Sequence, residues 1–180
     1  MTFPKDRGAA GESTRPAMRR HRFAAVALLM VAALPAWADD AQVRRGAYLA
    51  SVMDCSGCHT PRNGAGAPIA GASLSGGTIG FEVPGLGAFW PPNRTPHETG
   101  LAGWSTSEIV DAIRSGARPD GRMLAPAMPW ANYANLTDDD GAALAAYLKS
   151  LDPVDHQVPP PAAPGASVSA PVFRLALPGG

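Results

Sequence analysis

Residues Cys55-Ser56-Gly57-Cys58-His59 bring two thiols and an imidazole together in one short stretch. Two cysteines separated by two residues can hold one edge of a flat ligand, and a histidine directly after the second projects beneath it. The pattern C-x-x-C-H is the attachment signature of c-type haem. The thiols add across the vinyl groups as thioethers, and the imidazole becomes the proximal iron ligand. Two other chemistries use paired cysteines. A structural zinc site needs more ligands at fixed spacings, and the chain has only 2 cysteines. A thioredoxin-like dithiol sits between a strand and a helix and has no need of the adjoining histidine. The expected cofactor is therefore one covalently held haem c, bound by Cys55, Cys58 and His59, since the motif occurs once.

A six-coordinate iron needs a second axial ligand. Beyond residue 38 the chain offers Met53, Met123, Met128, His97 and His156. Met53 lies on the stretch leading into the haem motif and stays on the His59 side. His156 follows the last predicted helix. Met128 is flanked as Pro126-Ala127-Met128-Pro129, and the prolines fix φ and keep the segment out of a helix. Met128 is the leading candidate for cofactor and metal binding. Met123, in a more flexible Gly121-Arg122 setting, and His97, in a proline-containing loop, are its rivals. His/Met ligation raises the potential relative to bis-histidine ligation and fills both axial sites. It points to electron transfer rather than catalysis.

Three helices must position these groups. Ala41 to Asp54 carries Val43, Ala47 and Ala50 at helical spacing, widened by Tyr48, Leu49 and Val52, with Gly46 inside it. Trp104 to Gly116 opens on a Ser105/Glu108 capping box and stops at Gly116. Thr137 to Leu151 has a threonine cap, three aspartates at the positive end of the helix dipole, and an apolar stripe of Leu144, Tyr147, Leu148 and Leu151. Between them, Thr60 to Gly103 is rich in proline and glycine and reads as a long loop, with weak strand signal from Thr78 to Val83. Wrapping a haem is one reason for a loop of that length. Residues 154–180 form a Pro/Ala-rich tail, expected to be extended and frayed, with a short apolar end at Val172, Phe173, Leu175 and Leu177.

The N-terminal part reads as an extension and signal peptide over residues 1–38. Arg19-Arg20-His21-Arg22 precedes a 12-residue apolar run from Phe23 to Leu34, and Ala36-Trp37-Ala38 fits a cleavage site before Asp39. That run is short for a membrane span. Export, periplasmic localisation and no lasting membrane insertion are the expectations. Residues before Asp39 hold 6 Lys or Arg and 2 Asp or Glu, leaving 9 and 13 for the rest, a net charge of −4. An acidic body, made more so by haem propionates, argues against nucleic acid or anionic lipid as partners.

From Val43 to Pro153 the chain resembles the class I c-type cytochromes, and most of all the cytochrome domains that accompany bacterial dehydrogenases. The likeness rests on Arg45-Gly46-x-Tyr48-Leu49, Cys55-x-x-Cys58-His59-Thr60, Asn93-x-Thr95-Pro96-x-x-Thr99-Gly100 and Trp104-x-x-x-Glu108-Ile109. It continues through Arg118-Pro119-Asp120-Gly121, Pro126-x-Met128-Pro129 and Leu144-x-x-Tyr147-Leu148. The resemblance implies an all-α cytochrome c fold over residues 39–153, about three core helices wrapped with long loops around one haem. It implies that the first and last helices cross at Gly46 with Tyr147 facing it. It also implies a proline carbonyl accepting the second N–H of His59, for which Pro68 is the matching position, and a propionate contact from Arg94 or Arg122. Trp130 and Tyr133 are expected to pack near the haem. The implied function is a periplasmic one-electron carrier, not an enzyme. It would take electrons from a dehydrogenase and pass them to an oxidase or another cytochrome, through a face around Ser56–Cys58 and the Met128 loop. Alternatives are a dehydrogenase subunit docked through the tail, or, ranked lower, a haem peroxidase or ligand sensor.

Overall fold

Helix α1 (Leu34–Val52) leads into the haem motif and extends further upstream than its apolar periodicity suggests. The computed structural model describes residues 34–176; the basic cluster, the apolar run up to Ala33 and the last four residues, Leu177 among them, lie outside the described residues. The expected cleavage point before Asp39 falls inside α1. Alanine is the best helix former, and Ala41, Ala47 and Ala50 help carry α1 towards the haem motif. The far end is shorter than expected. Asp54 adopts a left-handed backbone (φ 52°, ψ 40°), so α1 stops at Val52 and a new short helix, α2 (Cys55–His59), begins at the first cysteine.

The other two helices match their sequence signals closely. In α3 (Thr106–Ser115) the Ser105 side chain accepts from the Glu108 N–H while the Glu108 carboxylate accepts from the Ser105 N–H, and Gly116 ends the helix. In α4 (Asp138–Ser150) Thr137 Oγ1 accepts from the Asp140 N–H at 3.1 Å. Leu74, Leu101, Ile109, Ala145 and Leu148 form one buried cluster; Leu49, Ala50 and Leu144 form another. Cys55 packs against both clusters, so the haem motif starts where the two cores join.

Helices α1 and α4 touch at Gly46. A β-carbon there would fall on the Ala143 carbonyl and lie 2.7 Å from Tyr147 Cβ. The expected crossing, with Tyr147 facing Gly46, is what the fold contains. Gly46→Val is expected to cost about 3 kcal/mol and lower the melting temperature by about 10 °C. Thermal unfolding followed at the haem absorbance checks this; an unchanged melting temperature would mean that the helices can separate without penalty.

The long segment between α2 and α3 is folded back by a small sheet. β1 (Gly80–Val83) pairs antiparallel with β2 (Gly87–Phe89), placing Phe81 opposite Phe89. The third strand, β3 (Val172–Arg174), comes from the tail and pairs parallel with β1, giving the order β2-β1-β3. The tail is extended but not frayed up to Ala176. Val154 contacts Asn93 and Thr95, Ala162 exchanges backbone hydrogen bonds with Ala88, and the Trp90 indole N–H donates to the Pro171 carbonyl. Phe81 and Phe173 meet with ring centroids 5.6 Å apart, and Glu82 pairs with Arg174 at 2.6 Å. Composition marks this segment as loop, and it is; its order comes from partners far away in sequence.

Candidate functional site

Helix α2 carries the chemistry. Cys55 and Cys58, three apart, share one side of the helix, and His59 ends it with 8 % of its surface exposed. Cys55 is half-buried and Cys58 is exposed. Burial is the main reason both thiols sit above their ordinary pKa; the neighbouring Asp54 carboxylate pushes each in the same direction. Both are therefore neutral thiols at pH 7. A thioredoxin-like dithiol sits between a strand and a helix; here the motif follows helix α1 instead.

The His59 ring is fixed by one bond: Nδ1 lies 2.8 Å from the Pro92 carbonyl. A carbonyl only accepts, so Nδ1 carries the proton and Nε2 keeps its lone pair free for a metal. The acceptor is Pro92, and the expectation of Pro68 is overturned. Residues after Pro61 close a local turn in which Asn63 Oδ1 accepts from the N–H groups of Ala65 and Ala67, and Ile69 N–H donates to the Pro61 carbonyl. That turn leaves Pro68 exposed on its own loop. The chain then returns: Gly76 N–H donates to the His59 carbonyl at 2.7 Å and Gly77 N–H to the Pro91 carbonyl at 2.8 Å. Gly76 has φ 112°, and a β-carbon on Gly77 would collide with the Cys58 carbonyl. Only glycines let the two segments approach so closely.

Pro92 is held in turn by a buried polar network that sequence reasoning left without a role. Asn93 is fully buried and uses all of its amide: Nδ2 donates to Thr99 Oγ1 (2.9 Å) and the Val154 carbonyl (2.8 Å), while Oδ1 accepts from the Thr95 N–H and hydroxyl, each at 2.8 Å. Thr95 Oγ1 accepts from the Val154 N–H at 3.1 Å. Fully satisfied buried networks of this kind specify a single arrangement. Thr60, directly after His59, accepts from the Leu74 N–H at 3.0 Å. The Asn-x-Thr-Pro-x-x-Thr-Gly pattern was the available signal; the contact with Val154 was beyond its reach.

His59 is also shaped electrically. Burial, and then the Arg94 cation, lower its pKa to about 4, against a smaller upward pull from the Pro92 carbonyl. Arg94 is itself drawn down to about 9 by burial and by Arg118, and so remains cationic at pH 7. The His59 ring is therefore held neutral at pH 7, the form that can bind a metal.

Met128 is half-buried and Met123 is 57 % exposed. The Met128 loop is tied at several points. Met128 N–H donates to the Ala125 carbonyl, and its own carbonyl accepts from Trp130 N–H. The Trp130 ring lies on Gly116 at the end of α3, and its indole N–H donates to the Leu124 carbonyl at 3.3 Å. Trp130–Tyr133 forms a 3-10 turn, and the Tyr133 hydroxyl reaches the Met53 carbonyl at 3.3 Å. The Tyr133 phenol is raised in pKa by burial and by the nearby Cys55 and Cys58. The loop's far end is thus brought to the cysteine helix. His97 Nδ1 accepts from the Thr99 N–H at 3.2 Å, which puts the ring proton on Nε2 and argues against a metal bond there. His156 Nδ1 lies 2.9 Å from the Ser75 carbonyl, beside Gly76.

The donor set fits haem c. Two neutral thiols lie on one side of α2, and next to them is a buried neutral imidazole with its outer nitrogen engaged and its inner one free. A separate small cleft of about 140 Å³ opens against Cys58, walled by Thr78, Ile79, Phe81 and Phe173; its lining does not include Cys55, His59 or Met128. The cytochrome c family profile matches residues 43–152. The chain belongs to the cytochrome c family. It is a c-type cytochrome with the helical fold of that family, whose cofactor is covalently bound c-type haem.

Among its relatives is a nicotinate dehydrogenase subunit of Pseudomonas putida, 36 % identical over 120 residues, covering 66 % of this chain and 9 % of the relative. The cytochrome c subunit of a quinone alcohol dehydrogenase from Gluconobacter oxydans is 36 % identical over 123 residues, 67 % of this chain and 24 % of that protein. The fructose dehydrogenase cytochrome subunit of Gluconobacter japonicus is 39 % identical over 127 residues, 69 % and 24 % respectively. This cytochrome thus matches a quarter or less of the length of each. Among the described residues, no helix is long and apolar enough to cross a membrane.

Proposed function

We propose that this cytochrome is an exported single-haem electron carrier. In this reading Cys55 and Cys58 anchor the haem, His59 and Met128 are its axial ligands, and residues 1–38 are removed on export. The bound haem supplies a one-electron ferric/ferrous couple. The chain's own residues hold the imidazole in one tautomer, keep water from it and present Ser56–Cys58 to partners. The observation that supports this most directly is the 2.8 Å bond from His59 Nδ1 to the Pro92 carbonyl, which frees Nε2 for iron. One C-x-x-C-H in 180 residues supports one haem, although a relative from Cereibacter sphaeroides is named a dihaem cytochrome. The electron donor is proposed to be a periplasmic dehydrogenase, as the relatives' names suggest, and the acceptor an oxidase or another cytochrome of the respiratory chain.

A second reading, a dedicated dehydrogenase subunit, draws on the tail. Phe173 and Leu175 are 61 % and 68 % exposed, and Phe173 walls the cleft beside Cys58. Ending the chain at Ala170 separates the two. It removes β3, the Phe81–Phe173 pair and the Trp90 hydrogen bond, and is expected to lower stability by about 3 kcal/mol while haem is retained. A full-length protein that purifies as a monomer and is reduced by a dehydrogenase added in solution supports the carrier. A large catalytic subunit that co-purifies with the full-length chain and is lost on truncation supports the second reading instead.

A further inference from the structure

The Pro92 carbonyl has two donors. His59 Nδ1–H approaches at 2.8 Å and Arg94 Nε–H at 3.1 Å. An oxygen shared between two donors polarises each N–H less than it would polarise one alone. The second donor is also a cation. Among the described residues Arg94 has no carboxylate partner, whereas Arg118 has Asp120 at 3.3 Å. The Arg94 and Arg118 guanidiniums lie 6.0 and 5.2 Å from the Trp104 ring centre. A positive charge with no protein carboxylate beside it is thus fixed next to the hydrogen bond that orients the proximal histidine.

Its position is fixed from the backbone. Arg94 N–H donates to the Leu74 carbonyl at 2.8 Å, and Leu74 N–H donates to Thr60 Oγ1. Leu74 is buried with φ 59°, a left-handed conformation that is strained for leucine. Such strain persists where surrounding contacts over-determine it. Here the contacts run from Thr60, next to His59, to Arg94.

We propose that Arg94 is a positioning residue that raises the reduction potential of this cytochrome, acting on His59 through the shared Pro92 carbonyl. Two effects have the same sign. A less polarised Nδ1–H makes the imidazole a weaker donor to ferric iron, and a nearby cation disfavours the more positive oxidation state. The inference rests on His59 being the iron ligand.

The test uses the intact haem-loaded protein and the variants Arg94→Gln and Arg94→Lys. Redox titration of Arg94→Gln is expected to show the ferric/ferrous equilibrium shifted about tenfold towards ferric, 59 mV for a one-electron couple. Arg94→Lys keeps the charge and is expected to shift it less. In the reduced proteins the His59 Nδ1 proton resonance is expected to move downfield in both variants, because Pro92 then serves a single donor. A ferric/ferrous equilibrium within twofold of the parent's overturns the proposal. So does a lowered potential with the Nδ1 proton unmoved, which would point to a contact with the haem propionates instead. If Arg94→Gln does not mature, Arg94→Lys decides by the same proton. A parent protein without haem fails the underlying reading, and is distinguished by having no couple to titrate.

Discussion

Exported protein carrying Cys55→Ser together with Cys58→Ser is expected to contain no haem that survives denaturation, and to lose most of its cooperative unfolding transition. The first outcome follows from thioether chemistry, since serine hydroxyls do not add to the vinyl groups. The second follows from the size of the core. Among the described residues the buried hydrophobic core has only twelve members, five of them alanines. The segment from Thr60 to Gly103 holds two short strands and no helix. Cys55 packs against both apolar clusters, so an anchored macrocycle there joins them. A domain with this much loop has little apolar burial to set against chain entropy, which runs at about 1–2 kcal/mol per residue for the backbone alone. Acid–acetone extraction followed by circular dichroism melting checks both outcomes. A coloured, cooperatively folded double serine variant would show that the haem is not held by these thiols.

The second large effect belongs to the other side of the iron. Met128→Leu keeps apolar volume and removes the thioether. The weak far-red absorption of a sulfur–iron bond is expected to vanish, and the reduced protein is expected to bind carbon monoxide. The potential is expected to fall by more than about 59 mV, a tenfold change in a one-electron equilibrium. Met123→Leu and His97→Ala are expected to leave all three properties intact. Loss of the far-red band in Met123→Leu with Met128→Leu unaffected, or a parent without the band, would move the sixth ligand. Rapid carbon monoxide binding by the parent would favour a sensor or peroxidase over a carrier.

The parts of this cytochrome that local chemistry determines were legible in its sequence. The Ser105/Glu108 box, the Thr137 cap, the stop at Gly116 and the haem motif each involve residues within four positions of one another. The Gly46 crossing was legible only with the family resemblance, because its partner Ala143 lies on another helix. What stayed hidden is long-range. Pro68 and Pro92 are equivalent as residues, and the choice between them is made by Gly76 and Gly77 turning the chain back beside His59. The tail reads as unstructured because its composition lacks periodicity, yet β1, Asn93 and Trp90 order it. Asn93 occurs in a recognised pattern, but its bond to the Val154 carbonyl spans 61 positions. Arg118 likewise occurs in a recognised pattern, but nothing local places it over Trp104.

The stitching of one haem to Cys55 and Cys58 is tested most directly by the intact mass of the exported protein under denaturing conditions. The expected value is that of the chain from Asp39 onward plus one haem. A mass equal to the bare polypeptide, or one carrying two haems, would contradict it.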